Sequence, residues 1–157
     1  SAAETARLRA VEREYETLRT SLVRAEYVPP TSAAALATMA EVIHFANDES
    51  ALSAAARTIL DAKVVVFRDN PDMRIVITGF TSSPGTAEYN MALGLRRAEA
   101  TKAYLVARGV SSSRIEIATR GQGQLLVDGP GERAAAANRR GEFRLLVADP
   151  YLVGAGM

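Results

Sequence analysis

The chain has 157 residues, of which 48% are hydrophobic and 24% are charged, a balance typical of one globular domain with an additional segment. Nineteen basic and eighteen acidic residues give a formal charge of +1, which excludes the strong positive field that drives nucleic-acid binding. The absence of cysteine excludes disulfides and thiolate metal sites.

The N-terminal segment carries apolar residues at alternating steps of three and four, the spacing of a coiled-coil heptad. They are Leu8, Val11, Tyr15, Leu18, Leu22 and Ala25. This pattern predicts a helical stalk over residues 1–28, which is either a docked helix or a segment that self-associates. Pro29 and Pro30 end it, because proline cannot continue a helix. A linker over 29–40 follows, whose alanine-rich part is either extended or a further helical turn.

The main domain is predicted at 41–150, with a tail at 151–157. Strands are expected at 42–45, 73–79, 114–119 and 142–147, with helices at 53–67 and 86–108 capped by Ser53 and Thr86. A glycine-rich loop joins the last two strands. Alternating strands and helices predict an α/β (α+β) two-layer sandwich. Its mixed sheet has about four strands with two main helices on one face, after the N-terminal helix.

Residues for catalysis are scarce. The single histidine, His44, lies in a predicted strand and is expected to be packed or at a solvent edge. The turn 79–86 joins a strand to a helix as a phosphate-binding loop does, but it lacks the lysine and has five residues between its glycines instead of four. We therefore expect no enzyme activity, cofactor or metal. The helix start after this turn still suits an anion such as a carboxylate.

Membrane contact is expected only through an anchor upstream of Ser1. No apolar stretch approaches the roughly 20 residues of a membrane-spanning helix, and residues 1–15 lack the pattern of a signal peptide.

Residues 79–98 read G-F-T-S-S-P-G-T-A-E-Y-N-M-A-L-G-L-R-R-A. This run resembles the core motif of the OmpA-like peptidoglycan-binding family, which includes the Pal lipoproteins and flagellar stator proteins. The matching positions are Gly79, Thr81, Gly85, Tyr89, Asn90, Leu93, Arg97 and Ala98. Short runs at 109–110, 114–115, 121–123 and 138–140 follow in the family's order, so the resemblance covers about residues 42–147.

The resemblance implies a ligand, the diaminopimelate side chain of the peptidoglycan stem peptide, which carries a carboxylate and an ammonium group. The family binds the carboxylate with an arginine of the long helix and the ammonium with an aspartate of the preceding turn. Arg97 fills the first role by position. Asn90 lies seven residues earlier on the same helix face, about 10 Å away along the axis.

This chain departs from the family pattern at several positions. Ser82 replaces the aspartate and Phe80 a histidine, so the ammonium loses its countercharge. Gly94 replaces a serine and Asn47 a usual aromatic residue, which we interpret as a relaxed ligand site. Because the turn lacks the acidic partner, two interpretations of Arg97 stay open: it binds the ligand carboxylate, or it is a solvated or ion-paired structural residue.

The predicted peptidoglycan-binding residues are Thr81, Ser82, Gly85, Tyr89, Asn90, Leu93 and Arg97. Tyr89 and Leu93 are expected to form core or cleft wall, whereas 138–140 is expected to be a turn with solvated charges before the last strand. The resemblance implies a non-enzymatic module that anchors an envelope protein to the cell wall, in the periplasm and associated with the outer membrane. The alternative is a degenerate OmpA-like domain that has lost its ligand site and serves as a structural or oligomerisation module.

Overall fold

The computed structural model describes residues 1–26, 32–127 and 129–146, with the side chains of residues 17–26 left out. The predicted end of the stalk at Pro29 and Pro30 and the predicted tail at 151–157 lie outside these residues. The helices are α1 (Ala2–Glu26), α2 (Ala33–Ala40), α3 (Ala54–Asp69), α4 (Ala87–Ala107) and α5 (Glu132–Asn138). The strands are β1 (Ile43–His44), β2 (Ile75–Phe80), β3 (Ile115–Gly121) and β4 (Arg140–Leu145), with one 3-10 turn at Ser112–Arg114.

The two main helices begin where their capping residues predict. The side-chain oxygens of Ser53 and Thr86 each accept a hydrogen bond, at 3.1 Å, from the backbone N–H three residues later. Helix α4 ends before Gly109, whose φ of +100° is the left-handed conformation that glycine adopts at little cost. The valine run 64–66 lies within α3, as the helix predicted at 53–67 implies.

The four strands form one mixed sheet in the order β1-β4-β2-β3. Strands β2 and β3 are parallel because α4 crosses between them, and the other two pairs are antiparallel. The buried core lies between the sheet and the main helices, and it includes Leu60, Phe67, Ile75, Ile77 and Leu105. The predicted two-layer sandwich is confirmed.

Helix α4 approaches the sheet very closely at two glycines. A Cβ atom built on Gly79 would lie 1.8 Å from the carbonyl oxygen of Gly94, and one built on Gly94 would lie 2.3 Å from Oγ1 of Thr119. Gly94 therefore has a packing role, and the relaxed ligand site that the sequence suggested stays a prediction. Arg97 lies three residues after Gly94 in α4, so this contact sets the distance of Arg97 from the sheet.

One helix decides between two alternatives that the sequence left open, and another was not predicted. The alanine-rich part of the predicted linker forms α2, which buries Met39 in the core. The fully buried ammonium of Lys63 donates to the carbonyl oxygens of Thr38, Met39 and Glu41 at 2.7–2.9 Å, where α2 ends. Helix α5 interrupts the loop before β4 and was not predicted. No helix that the structure describes is both long and apolar enough to cross a membrane.

Candidate ligand-binding cleft

A cleft of about 260 Å³ opens at one end of the sheet, where three segments meet. These are the loop after β1, the turn after β2 and the first three turns of α4. All seven residues predicted for the site line it, together with three others. The lining residues are Asn47, Asp48, Thr81, Ser82, Pro84, Gly85, Tyr89, Asn90, Leu93 and Arg97.

Arg97 lies at the back of the cleft and is 1% exposed. Its Nε donates to the carbonyl of Glu49 at 2.8 Å, Nη1 to that of Phe80 at 2.9 Å and Nη2 to that of Ala46 at 3.1 Å. Its guanidinium also lies 5.1 Å from the centre of the Phe45 ring. These three bonds leave one N–H on each terminal nitrogen. Within the described residues Arg97 bonds to backbone carbonyls and not to an acid, so it is neither solvated nor ion-paired.

The charge of Arg97 persists at neutral pH. Burial lowers the pKa of its guanidinium to about 10. The positive charge of Arg139 also lowers this pKa, whereas the negative charge of Asp48 raises it. A pKa near 10 keeps the group protonated at pH 7. The two remaining N–H groups therefore offer a positive, partly desolvated receptor for an anion.

Asn90 and Thr81 hold the turn after β2 to the loop at 121–123. The buried Asn90 amide donates to the carbonyl of Pro84 at 3.0 Å and to the side-chain oxygen of Gln122 at 2.6 Å. The backbone N–H of Thr81 donates to the carbonyl of Gly121 at 2.8 Å. Gln122 was not predicted as part of the site. Its signal is the G-Q-G run at 121–123, which the sequence marks only as a turn.

Asp48 and Tyr89 form the exposed rim. The Tyr89 hydroxyl donates a hydrogen bond to a carboxylate oxygen of Asp48, and this bond raises the pKa of Tyr89. Asp48 has a φ of +56°, the left-handed conformation that aspartate adopts more readily than most residues. Asp48 is a second residue that was not predicted, because the sequence marks it only as part of a turn. Leu93, 4% exposed, forms the apolar wall.

The run 138–140 is buried, so its prediction as a turn with solvated charges is wrong. Asn138, Arg139 and Arg140 are 3%, 7% and 3% exposed. Arg139 donates from Nε to the carbonyl of Phe45 at 2.8 Å, and the Arg140 guanidinium lies 3.9 Å from the centre of the Phe80 ring. These contacts with backbone and aromatic rings replace the water that the prediction assumed.

His44 is exposed on β1, and the residues that the structure describes hold no cluster of three or more His, Cys, Asp or Glu suited to a metal ion. The cleft instead presents one fixed guanidinium, from Arg97, and one carboxylate, from Asp48. Such an arrangement has the size and charges that suit a small charged ligand. The fold and the cleft are those expected of a ligand-binding module on an α/β sandwich.

Comparison with known proteins identifies the family. A family model described as the OmpA family matches residues 44–139, more than half of the chain, and the chain belongs to this family. Over 101 residues it is 41% identical to a peptidoglycan-associated lipoprotein of Pseudomonas putida and 39% identical to that of Pseudomonas aeruginosa. Each match covers 64% of this chain and 60% of the relative, so the chain spans about three fifths of these proteins' length.

Solved structures share the fold. The crystal structure of the peptidoglycan-associated lipoprotein from Burkholderia pseudomallei has a TM-score of 0.65 at 30% identity, covering 66% of this chain and 88% of that one. The C-terminal domain of Helicobacter pylori MotB has a TM-score of 0.63 at 15% identity, covering 73% and 90%. The second likeness concerns the fold alone.

Proposed function

We propose that this chain is a non-enzymatic peptidoglycan-binding module that anchors an envelope protein to the cell wall. The relatives named as peptidoglycan-associated lipoproteins support this function. The observation that carries it is Arg97, which keeps N–H groups free at the back of a cleft lined by the family motif. The same kinship supports a location in the periplasm, associated with the outer membrane.

The proposed ligand is the diaminopimelate side chain of a stem peptide. Its carboxylate binds Arg97 and the backbone N–H groups of the turn at 82–86. A cleft of about 260 Å³ is smaller than most drug-sized sites and suits the end of one amino-acid side chain. Thr81, Ser82, Gly85 and Asn90 form the turn side of this site, and Leu93 packs against the methylene groups.

A steric block tests the proposal without touching Arg97. Ser82 is half-buried in the cleft, so Ser82→Trp fills it. Ser83 is the next residue, is exposed and does not line the cleft, so Ser83→Trp is the matched control. The wild type and Ser83→Trp are expected to co-sediment with purified diaminopimelate-containing sacculi, while folded Ser82→Trp stays in the supernatant. Equal sedimentation of Ser82→Trp and wild type would contradict binding through this cleft.

A second function, self-association through α1, is favoured by its exposed apolar stripe. Leu8, Val11 and Tyr15 are 64%, 58% and 64% exposed and follow heptad spacing. In this role the chain is an oligomerisation module, with or without the ligand.

Analytical ultracentrifugation tests this second function. A dimer or higher oligomer is expected for the chain, and a monomer for the chain without residues 1–28. Replacing Leu8 and Val11 by glutamine is expected to give the monomer, whereas the same change at the neighbouring Arg9 and Glu12 is expected to leave the oligomer intact. A monomeric wild type at high concentration would exclude self-association.

A further inference from the structure

The lining of the cleft carries two opposite charges. Among its ten residues, Asp48 is the one acid and Arg97 the one base. They approach from different segments, Asp48 from the loop after β1 and Arg97 from α4. A small site with one fixed charge of each sign is suited to a ligand that carries both charges close together, such as the end of an amino acid.

Asp48 is held in place from two sides. Arg97 donates to the carbonyls of Ala46 and Glu49, which flank Asp48 in sequence, and so fixes the backbone of its loop. The hydroxyl of Tyr89 donates to one carboxylate oxygen. The other oxygen accepts no hydrogen bond from the described part of the chain. The carboxylate is thus oriented at the rim of the cleft and keeps an acceptor free for a ligand.

The neighbouring turn supplies no second negative charge. Ser82, Thr81 and Asn90 are neutral, and Thr81 and Asn90 already bond within the turn or to Gln122. A hydroxyl such as that of Ser82 accepts a hydrogen bond from an ammonium group, but without the gain of an opposite charge. Within this lining only Asp48 can neutralise an ammonium group.

We infer that Asp48 pairs with the ammonium of the ligand whose carboxylate Arg97 binds, and that Asp48 gives the cleft its preference for a zwitterionic side chain. This inference rests on the proposed function, because it assigns the second half of the same ligand. Tyr89 is a positioning residue that orients the carboxylate. The free acceptor oxygen faces a ligand ammonium, which donates up to three hydrogen bonds.

The test compares two synthetic tripeptides, L-Ala-γ-D-Glu-meso-diaminopimelate and the same peptide with 2-aminopimelate, which keeps the distal carboxylate and lacks the distal amine. Isothermal titration calorimetry of the wild type is expected to give roughly tenfold tighter binding of the first peptide, because the lost contact is charge-assisted. In Asp48→Asn the preference is expected to fall below about twofold. Asparagine also tolerates a positive φ and still accepts the Tyr89 bond, so the fold is retained.

Two further variants separate charge from local structure. Asp61 accepts a hydrogen bond from Tyr104 at 2.7 Å on another surface, so Asp61→Asn removes a tyrosine-bound carboxylate outside the cleft and is expected to keep the tenfold preference. Adding Ser82→Asp to Asp48→Asn returns a carboxylate to the cleft and is expected to restore the preference.

The outcomes separate this inference from the proposed function. If the wild type binds the diaminopimelate peptide but Asp48→Asn keeps the full preference, or Ser82→Asp does not restore a lost one, the role of Asp48 is overturned while the binding function stands. If the wild type binds neither peptide, the proposed ligand and the role of Asp48 are both overturned.

Discussion

Replacing Arg97 by methionine is expected to destabilise the fold as well as the ligand site. Methionine keeps much of the side-chain volume but removes three hydrogen bonds to the carbonyls of Ala46, Glu49 and Phe80. Each bond from a charged donor contributes about 1.5–3 kcal/mol, but the three share one guanidinium and one desolvation cost. Each carbonyl oxygen left without a donor costs about 1–3 kcal/mol, and the saved desolvation of the guanidinium offsets part of the sum, so we expect a loss of about 3–5 kcal/mol. This is a large share of the roughly 5–15 kcal/mol that stabilises a domain.

The assay is urea denaturation followed by circular dichroism, with Arg96→Met as the control. Arg96 is the adjacent residue and is exposed, with its guanidinium 5.8 Å from the centre of the Tyr89 ring. Its replacement is expected to change the free energy of unfolding by less than about 1 kcal/mol. If Arg97→Met lies within about 1 kcal/mol of the wild type, the three carbonyl bonds do not support the fold and the reasoning is refuted. A loss of sacculus binding by Arg97 variants is interpretable only where the variant is folded.

Two further predictions concern packing and pH. Gly79→Ala is expected to destabilise by about 3 kcal/mol or more in urea denaturation, because its Cβ meets the α4 backbone at 1.8 Å. The control is Gly141→Ala, whose Cβ would lie 3.1 Å from a side-chain atom of Ile43 that can move, and it is expected to cost about 1 kcal/mol or less. Equal losses of stability in the two variants would contradict the close approach of α4 to Gly79. Burial lowers the pKa of Lys63 from 10.5 to about 8, so the unfolded chain binds the proton more tightly than the folded chain. The free energy of unfolding is therefore expected to rise between pH 8 and 10.5, by about 3 kcal/mol. Below pH 8 the contribution of Lys63 to the free energy of unfolding does not change with pH. Urea denaturation at several pH values measures this dependence. If Lys63→Met shows the same dependence on pH as the wild type, Lys63 is not its cause.

The elements that could be predicted are those with local signals. Ser53 and Thr86 cap helices through bonds to residues three positions away, and the strand patterns alternate over neighbouring residues. The α4 face that carries Asn90 and Arg97 follows from helix geometry. Helix α5 was missed, because its seven residues follow a glycine-rich loop and Gly131 provides no side-chain cap.

The parts that could not be predicted depend on partners distant in sequence. Lys63 donates hydrogen bonds to carbonyl oxygens 22–25 residues away in sequence, and Arg139 donates one to the carbonyl of Phe45, 94 residues away in sequence. A charged residue in a sequence is by default solvated, so only the tertiary structure shows which charges are buried. Asp48 was missed for the same reason, since its role depends on Tyr89, 41 residues later.

The attachment of α2 by Lys63 has a mechanical consequence. Because α2 lies between α1 and β1, tension applied through the N-terminal segment reaches the main domain at α2 first. The three bonds from the Lys63 ammonium pass that force into α3 and the core. The loop that carries Asp48 follows this attachment in the chain, so a pull on the N-terminal segment loads the bonds of Lys63 before it loads that loop.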